Sequence, residues 1–194
     1  MQLVIYMSKK YSKLPNIEIL DEKDKRLKQK SEPVIFPLPK EDLDRIEDML
    51  TYLEMSQIEE YNQKYNLRAG WGLAYIQLGI PKRIFVIVEE LEPGKFEHYI
   101  VVNPKIKSKS EEIVYIEEGE GCLSINRPTT GIVPRHARMT IQCFDEYGTE
   151  YEIRVREEIS VAFQHELDHL EGMLFTDRID PKNPFKGKDI YRSI

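Results

Sequence analysis

His165, Glu166, Leu167, Asp168 and His169 form an HExxH pattern late in the chain. On a helix, 3.6 residues per turn would set His165 and His169 one turn apart on one face, where two imidazoles can chelate one metal ion. Glu166, about 100° round the helix, could reach a water beside that ion and act as its base. Val161, Ala162, Phe163, Leu167 and Leu170 surround the pair with apolar side chains, so this helix is expected to be buried. Buried histidines need partners, and a shared metal is the simplest one.

A catalytic metal usually has three protein ligands and an open position. One protease class extends the motif to HExxHxxGxxH; here Gly172 fits, but Phe175 stands where the third histidine would be. A second class takes a glutamate from a later helix, yet residues 176–194 contain none. The third ligand is therefore expected upstream, among Cys122, His98, His136, Cys143 and several carboxylates. Cys122 lies in the compact, glycine-flanked run Glu120-Gly121-Cys122-Leu123-Ser124. Cys143 falls inside an alternating stretch where a buried, inert cysteine is the ordinary reading. His136 is flanked closely by Arg135 and Arg138, a poor setting for a cation, and His98 reads as a surface residue.

The elements that must hold these groups are visible in the hydrophobic pattern. Leu43, Ile46, Leu50 and Leu53 recur at helical spacing behind an acidic first turn, predicting an amphipathic core helix over 41–54, with continuation to Lys64 open. Short β-branched and aromatic runs at 83–88 and 99–102 predict strands. Residues 139–144 and 151–155, around Gly148, predict a hairpin. Helical spacing returns over 160–170, and Gly172 sits where that helix would stop. Strands grouped before one late helix, without regular βαβ alternation, indicate an α+β domain. The expected architecture is mostly antiparallel strands packed around a buried C-terminal HExxH helix, with the amphipathic helix in the N-terminal third. The region after Asp180, with two prolines and a glycine, is expected to run as a surface tail.

Composition narrows the classes. At 194 residues and 41% hydrophobic, the chain has enough apolar residues for a core and is expected to form one domain over 1–194. A net charge of −6 argues against binding nucleic acid by broad phosphate neutralisation, so no specific nucleic-acid readout is expected. No apolar run approaches a membrane span, and the start, MQLVIYM followed by Ser8, Lys9 and Lys10, does not read as a signal peptide. Two cysteines are too few for a disulfide framework, and a cytoplasmic location is expected.

Three segments taken together resemble the signature segments of the peptide deformylases. They are Gly70-Trp71-Gly72-Leu73-Ala74-Tyr75-Ile76-Gln77, then EGCLS at 120–124, then QHELDHLEG at 164–172. The likeness runs from about Asp24 to Asp180, and the helical insert before the first segment is similar to the longer, Gram-positive-like branch. The resemblance implies removal of the formyl group from the N-terminal methionine of new polypeptides, with release of formate. It implies that Cys122, His165 and His169 hold one divalent metal, commonly Fe2+, with Ni2+, Co2+ or Zn2+ able to substitute. Glu166 then corresponds to the general base, and Gln77 and the Leu123 amide to the oxyanion donors. Gly72 matches the residue that meets the substrate main chain, and Trp71, Val161 and Ala162 match walls of the methionine pocket. Expected partners are N-formylmethionyl nascent peptides and the ribosome near its exit tunnel.

Departures from the family pattern are confined to the first segment. Tyr75 stands where a small alanine is usual, Ile76 is uncommon, and Trp71 is bulkier than the customary valine or isoleucine. Two readings of Tyr75 stay open: it reshapes the substrate groove, or it packs into the core. The same residues count against two other functions. A peptidase cutting internal bonds is disfavoured by the missing third histidine or glutamate. A silent metal-binding module is disfavoured because a structural site needs neither Glu166 nor Gln77.

Overall fold

The computed structural model describes residues 11–194; the expectation about the first ten residues lies outside them. These described residues form a mixed α+β fold with three α-helices: α1 (Lys40–Gln57), α2 (Glu59–Tyr65) and α3 (Glu157–Leu170). The strands are β1 (Gly72–Ala74), β2 (Ile84–Glu92), β3 (Lys95–Lys109), β4 (Ile113–Tyr115), β5 (Arg135–His136), β6 (Arg138–Phe144), β7 (Glu150–Arg156) and β8 (Arg192–Ser193). Five make an antiparallel sheet in the order β1-β2-β3-β6-β7; β5, β4 and β8 make a small second sheet.

The unbroken apolar run Ile84–Val88 follows from burial on both faces of the large sheet. Ile84, Val86 and Val88 pack with Ile46, Met49, Leu50 and Leu53 of α1. Phe85 and Ile87 pack on the other face, in a cluster with Met139, Ile141, Phe163 and Leu170. The sheet thus separates α1 from α3, and each fully buried aliphatic side chain contributes about 1.5–3 kcal/mol.

Local features depart from the sequence expectation for identifiable reasons. The first helix does not continue smoothly to Lys64: Ile58 is extended (φ −80°, ψ 116°) and separates α1 from α2. Tertiary bonds fix this break. Gln57 Nε2 donates to Gly70 O and Val88 O, each at 3.0 Å, and the Gly70 N–H donates to Ser56 Oγ at 3.2 Å. The predicted strand at 99–102 is part of the much longer β3, which passes through Pro104 by a register shift between Val102 and Lys105. A bulge is where a strand tolerates proline. The C-terminal stretch is not simply a surface tail. It returns as β8, pairing parallel with Val114 and Tyr115. Gly172 follows α3 at φ +73°, and an added Cβ would lie 2.5 Å from the Lys28 carbonyl, so the chain needs glycine there.

Candidate active site

Helix α3 carries the two histidines. Their rings are 5.0 Å apart between centroids, and both residues are buried. Cys122 comes from the loop between β4 and β5, and its sulfur lies 3.3 Å from His169 Nε2. One ligand atom from each of Cys122, His165 and His169 falls within 4.8 Å of the others, the one such histidine-cysteine-carboxylate group among the described residues. The other upstream candidates lie elsewhere. His136 Nδ1 bonds Ser110 O at 2.7 Å, Cys143 is buried in the α3-side core, and exposed His98 bonds Glu54 at 2.7 Å.

The donor set suits a divalent transition metal: two imidazoles and a sulfur, with a carboxylate behind one histidine. That carboxylate belongs to Glu120, whose Oε2 meets His165 Nδ1 at 2.9 Å and so leaves the opposite ring nitrogen for the cluster. Glu120 is itself gripped by Arg135 at 2.7 and 2.9 Å; Arg135 also holds Asp168 at 2.6 Å. Arg178 completes the chain on Asp168 at 2.5 Å. Burial alone would raise the Glu120 pKa, but Arg135 and His165 outweigh it and hold it at about 2. For His165, burial opposes the charged form, yet bonds to Cys122 and Glu120 hold its pKa well above the usual histidine value. His169 moves well below that value through burial and its charged neighbours.

Sequence reasoning missed this network. Glu120 and Asp168 stand inside the EGCLS and HExxH motifs at positions to which those patterns give no role, and Arg135 reads only as a neighbour of His136. Arg135 is 1% exposed. The available signal was a charged residue next to an otherwise apolar run, Ile132-Val133-Pro134.

Glu166 is 3% exposed, and its Oε2 has no hydrogen-bond partner among the described residues. Burial, partly offset by His165 and Arg135, pushes its pKa up to about 7. Such a carboxyl is matched to proton transfer near neutral pH. Gly72 packs against it: an added Cβ would lie 2.3 Å from Glu166 Oε1.

Gln77 sits in the 3-10 turn Tyr75–Leu78. Its Oε1 accepts from the Ala74 N–H at 2.8 Å, so its NH2 group points the other way, toward Ser124 Oγ (3.2 Å) and Cys122 Sγ (3.7 Å). Arg68, also missed, donates to Cys122 O at 2.9 Å and Asn126 Oδ1 at 2.6 Å, tying down the loop that carries the cysteine.

A pocket of about 410 Å³ opens beside the cluster, lined by Trp71, Gly72, Gln77, Leu123, Val161 and Ala162 among others. All four residues expected to meet substrate therefore share one cavity with Cys122, His165 and Glu166. Tyr75 does not line it. It is fully buried in the α1-side core, its hydroxyl donating to Asp42 O at 2.8 Å. Ile76 is buried in the α3-side core. Of the three departures, Trp71 alone faces the pocket.

The polypeptide deformylase family model matches residues 17–185. The peptide deformylase of Shouchella clausii is 45% identical over 170 residues, covering 87% of this chain and 93% of that protein. That of Oceanobacillus iheyensis is 45% identical over 168 residues, covering 87% and 92%. Among solved structures, a plant peptide deformylase superposes with a TM-score of 0.73 at 27% identity, covering 90% of this chain and 86% of that one. A Synechococcus elongatus peptide deformylase in complex with actinonin gives 0.71 at 30%, covering 87% and 83%. A family match across most of the chain, close relatives of nearly equal length and a shared fold agree: this chain belongs to the polypeptide deformylase family.

Proposed function

We propose that the chain, acting as one catalytic domain, hydrolyses the formyl amide of N-formylmethionyl peptides and releases formate, using one divalent ion held by Cys122, His165 and His169. The observation that carries this reading is the convergence of those three ligand atoms beside the buried carboxyl of Glu166, at the wall of one pocket. Bound there, the ion would supply Lewis-acid chemistry, acidifying a water and polarising the formyl carbonyl. We assign it as ferrous iron, with nickel, cobalt and zinc able to enter the same donor set.

Glu166 takes a proton as the water oxygen bonds to the formyl carbon, and returns it to the methionine nitrogen as the carbon–nitrogen bond breaks. The Gln77 NH2 group, oriented by the Ala74 N–H, and the Leu123 amide meet the charge developing on the formyl oxygen. Gly72, on edge strand β1, offers its backbone to the substrate main chain, while Val161, Ala162 and Trp71 enclose the methionine side chain. The strands packed around the buried HExxH helix are, in this reading, the scaffold that holds base and ligands in register. A cytoplasmic setting and work on chains emerging from the ribosome complete the proposal.

The test is release of the free methionine α-amine from formyl-Met-Ala-Ser beside N-acetyl-Met-Ala-Ser, with formate or acetate as the co-product. Rapid hydrolysis of the formyl peptide alone is expected. Equal rates, or cleavage at an internal bond, would contradict it.

A further inference from the structure

The five-stranded sheet has two edges of different character. β1, beside the pocket, is 3 residues long; β7, the opposite edge, is 7. Edge strands are ordinarily guarded by a proline, a bulge or an inward-pointing charge. β7 contains no proline, and its register with β6 runs unbroken from Glu150 to Arg156. The hydrogen-bonding phase of β7 follows from the two ends of that ladder. The Asp145 N–H donates to Thr149 O at 3.0 Å and the Glu157 N–H to Ala137 O at 2.9 Å, both in the same register. Antiparallel partners alternate between bonded and non-bonded pairs, so Tyr151, Ile153 and Val155 bond β6. The N–H and C=O of Glu152 and Arg154 therefore point to the open edge, without a backbone partner among the described residues.

The side chains along this edge are ordered by sign. Tyr151, Ile153 and Val155 turn toward the α3-side core, so Glu150, Glu152, Arg154 and Arg156 stand exposed on the opposite face. Glu152, Arg154 and Arg156 make no side-chain hydrogen bond or ion pair among the described residues, and Glu150 bonds only Gln142. The strand thus reads negative, negative, positive, positive, and an antiparallel copy reads the reverse. With a two-fold axis at Ile153, Glu152 of one copy stands opposite Arg154 of the other, and Glu150 opposite Arg156. Every charge then faces its opposite, at positions whose backbone groups already face the edge. Moving the axis by one residue keeps that phase but sets Glu152 or Arg154 against itself. On the core face, the half-buried Ile153 meets its own copy and Tyr151 meets Val155. We propose that β7 is a self-complementary interface through which two copies of this chain join their sheets into one, a weak two-fold dimer that leaves both β1 edges and pockets open.

The test is sedimentation equilibrium of the full chain, metal-loaded, in wild type, Glu152→Arg, Arg154→Glu and the double variant carrying both changes. A single strand edge makes a small interface, so a micromolar Kd is expected in wild type at low ionic strength, weakening with added salt. Each single reversal sets like charges against one another on both sides of the axis and should weaken the dimer at least about tenfold. The double variant restores opposite signs in every pair, and should return to within about threefold of wild type. Arg154→Gln, which only removes a charge, should give a smaller loss in the same direction. Cooperative thermal unfolding checks that each variant is folded. A wild type that stays monomeric at millimolar concentration would overturn the proposal. So would a dimer that the single reversals leave unchanged, or one that the double variant weakens as much as they do.

Discussion

Tyr75 shows how one residue can look functional and prove structural. In sequence it departs from its family inside a catalytic segment; in the fold its ring fills the core beneath α1 and its hydroxyl is satisfied by Asp42 O. Tyr75→Phe should lose about 0.5–1.5 kcal/mol, the worth of one hydrogen bond, and Tyr75→Ala about 3–5 kcal/mol through the cavity it leaves. Denaturant unfolding measures both. Relative rates across a peptide panel should stay the same, and altered selectivity in Tyr75→Phe would return the residue to the groove. Gln77 sits two positions on and is expected to behave in the opposite way. Gln77→Leu should keep its metal and lower kcat more than it raises KM, because in the proposed mechanism the amide meets charge present only in the transition state. One lost oxyanion donor costs about 2.7–4 kcal/mol in known cases, or roughly a hundredfold to a thousandfold in kcat. An unchanged kcat would remove Gln77 from the oxyanion site.

At the scale of elements, what could be read from sequence depended on how local the cause was. HExxH was legible because helical spacing alone brings His165 and His169 together, and EGCLS because its residues lie side by side. The ends of α1 and the course of β3 were not: Gln57 bonds Gly70 and Val88, and Pro104 is absorbed by a bulge against β6. The ion network was hidden for the same reason. Glu120 reaches Arg135 across 15 positions and His165 across 45, while charged residues read in isolation suggest surface. This network ties α3 to the loop bearing Cys122, so its loss should be felt in both. Arg135→Met would leave Glu120 and Asp168 buried without their shared partner, an expected cost of about 3–5 kcal/mol. Thermal or denaturant unfolding of the apo protein would check this. In variants that still fold, metal affinity should fall about 10–100-fold, the usual effect of losing the partner behind a ligating histidine. Wild-type stability in Arg135→Met would mean the network contributes little.

In the whole molecule, α1 and α3 lie against opposite faces of the antiparallel sheet, and the site forms where β1, the β4–β5 loop that carries Cys122, and α3 meet. No helix among the described residues is long and apolar enough to cross a membrane. Everything in this arrangement converges on Glu166: Gly72 leaves room for it, burial raises its pKa, and it shares the pocket with Cys122 and His165 of the candidate ligand group. The most direct measurement is formate release and metal content in the same samples of wild type and Glu166→Gln. In the proposed mechanism Glu166 moves protons and is not a ligand, so wild type and variant should both hold close to one metal per chain, while turnover in the variant falls about 10²–10⁴-fold or more. Loss of the metal together with the activity, or activity retained in Glu166→Gln, would contradict the account.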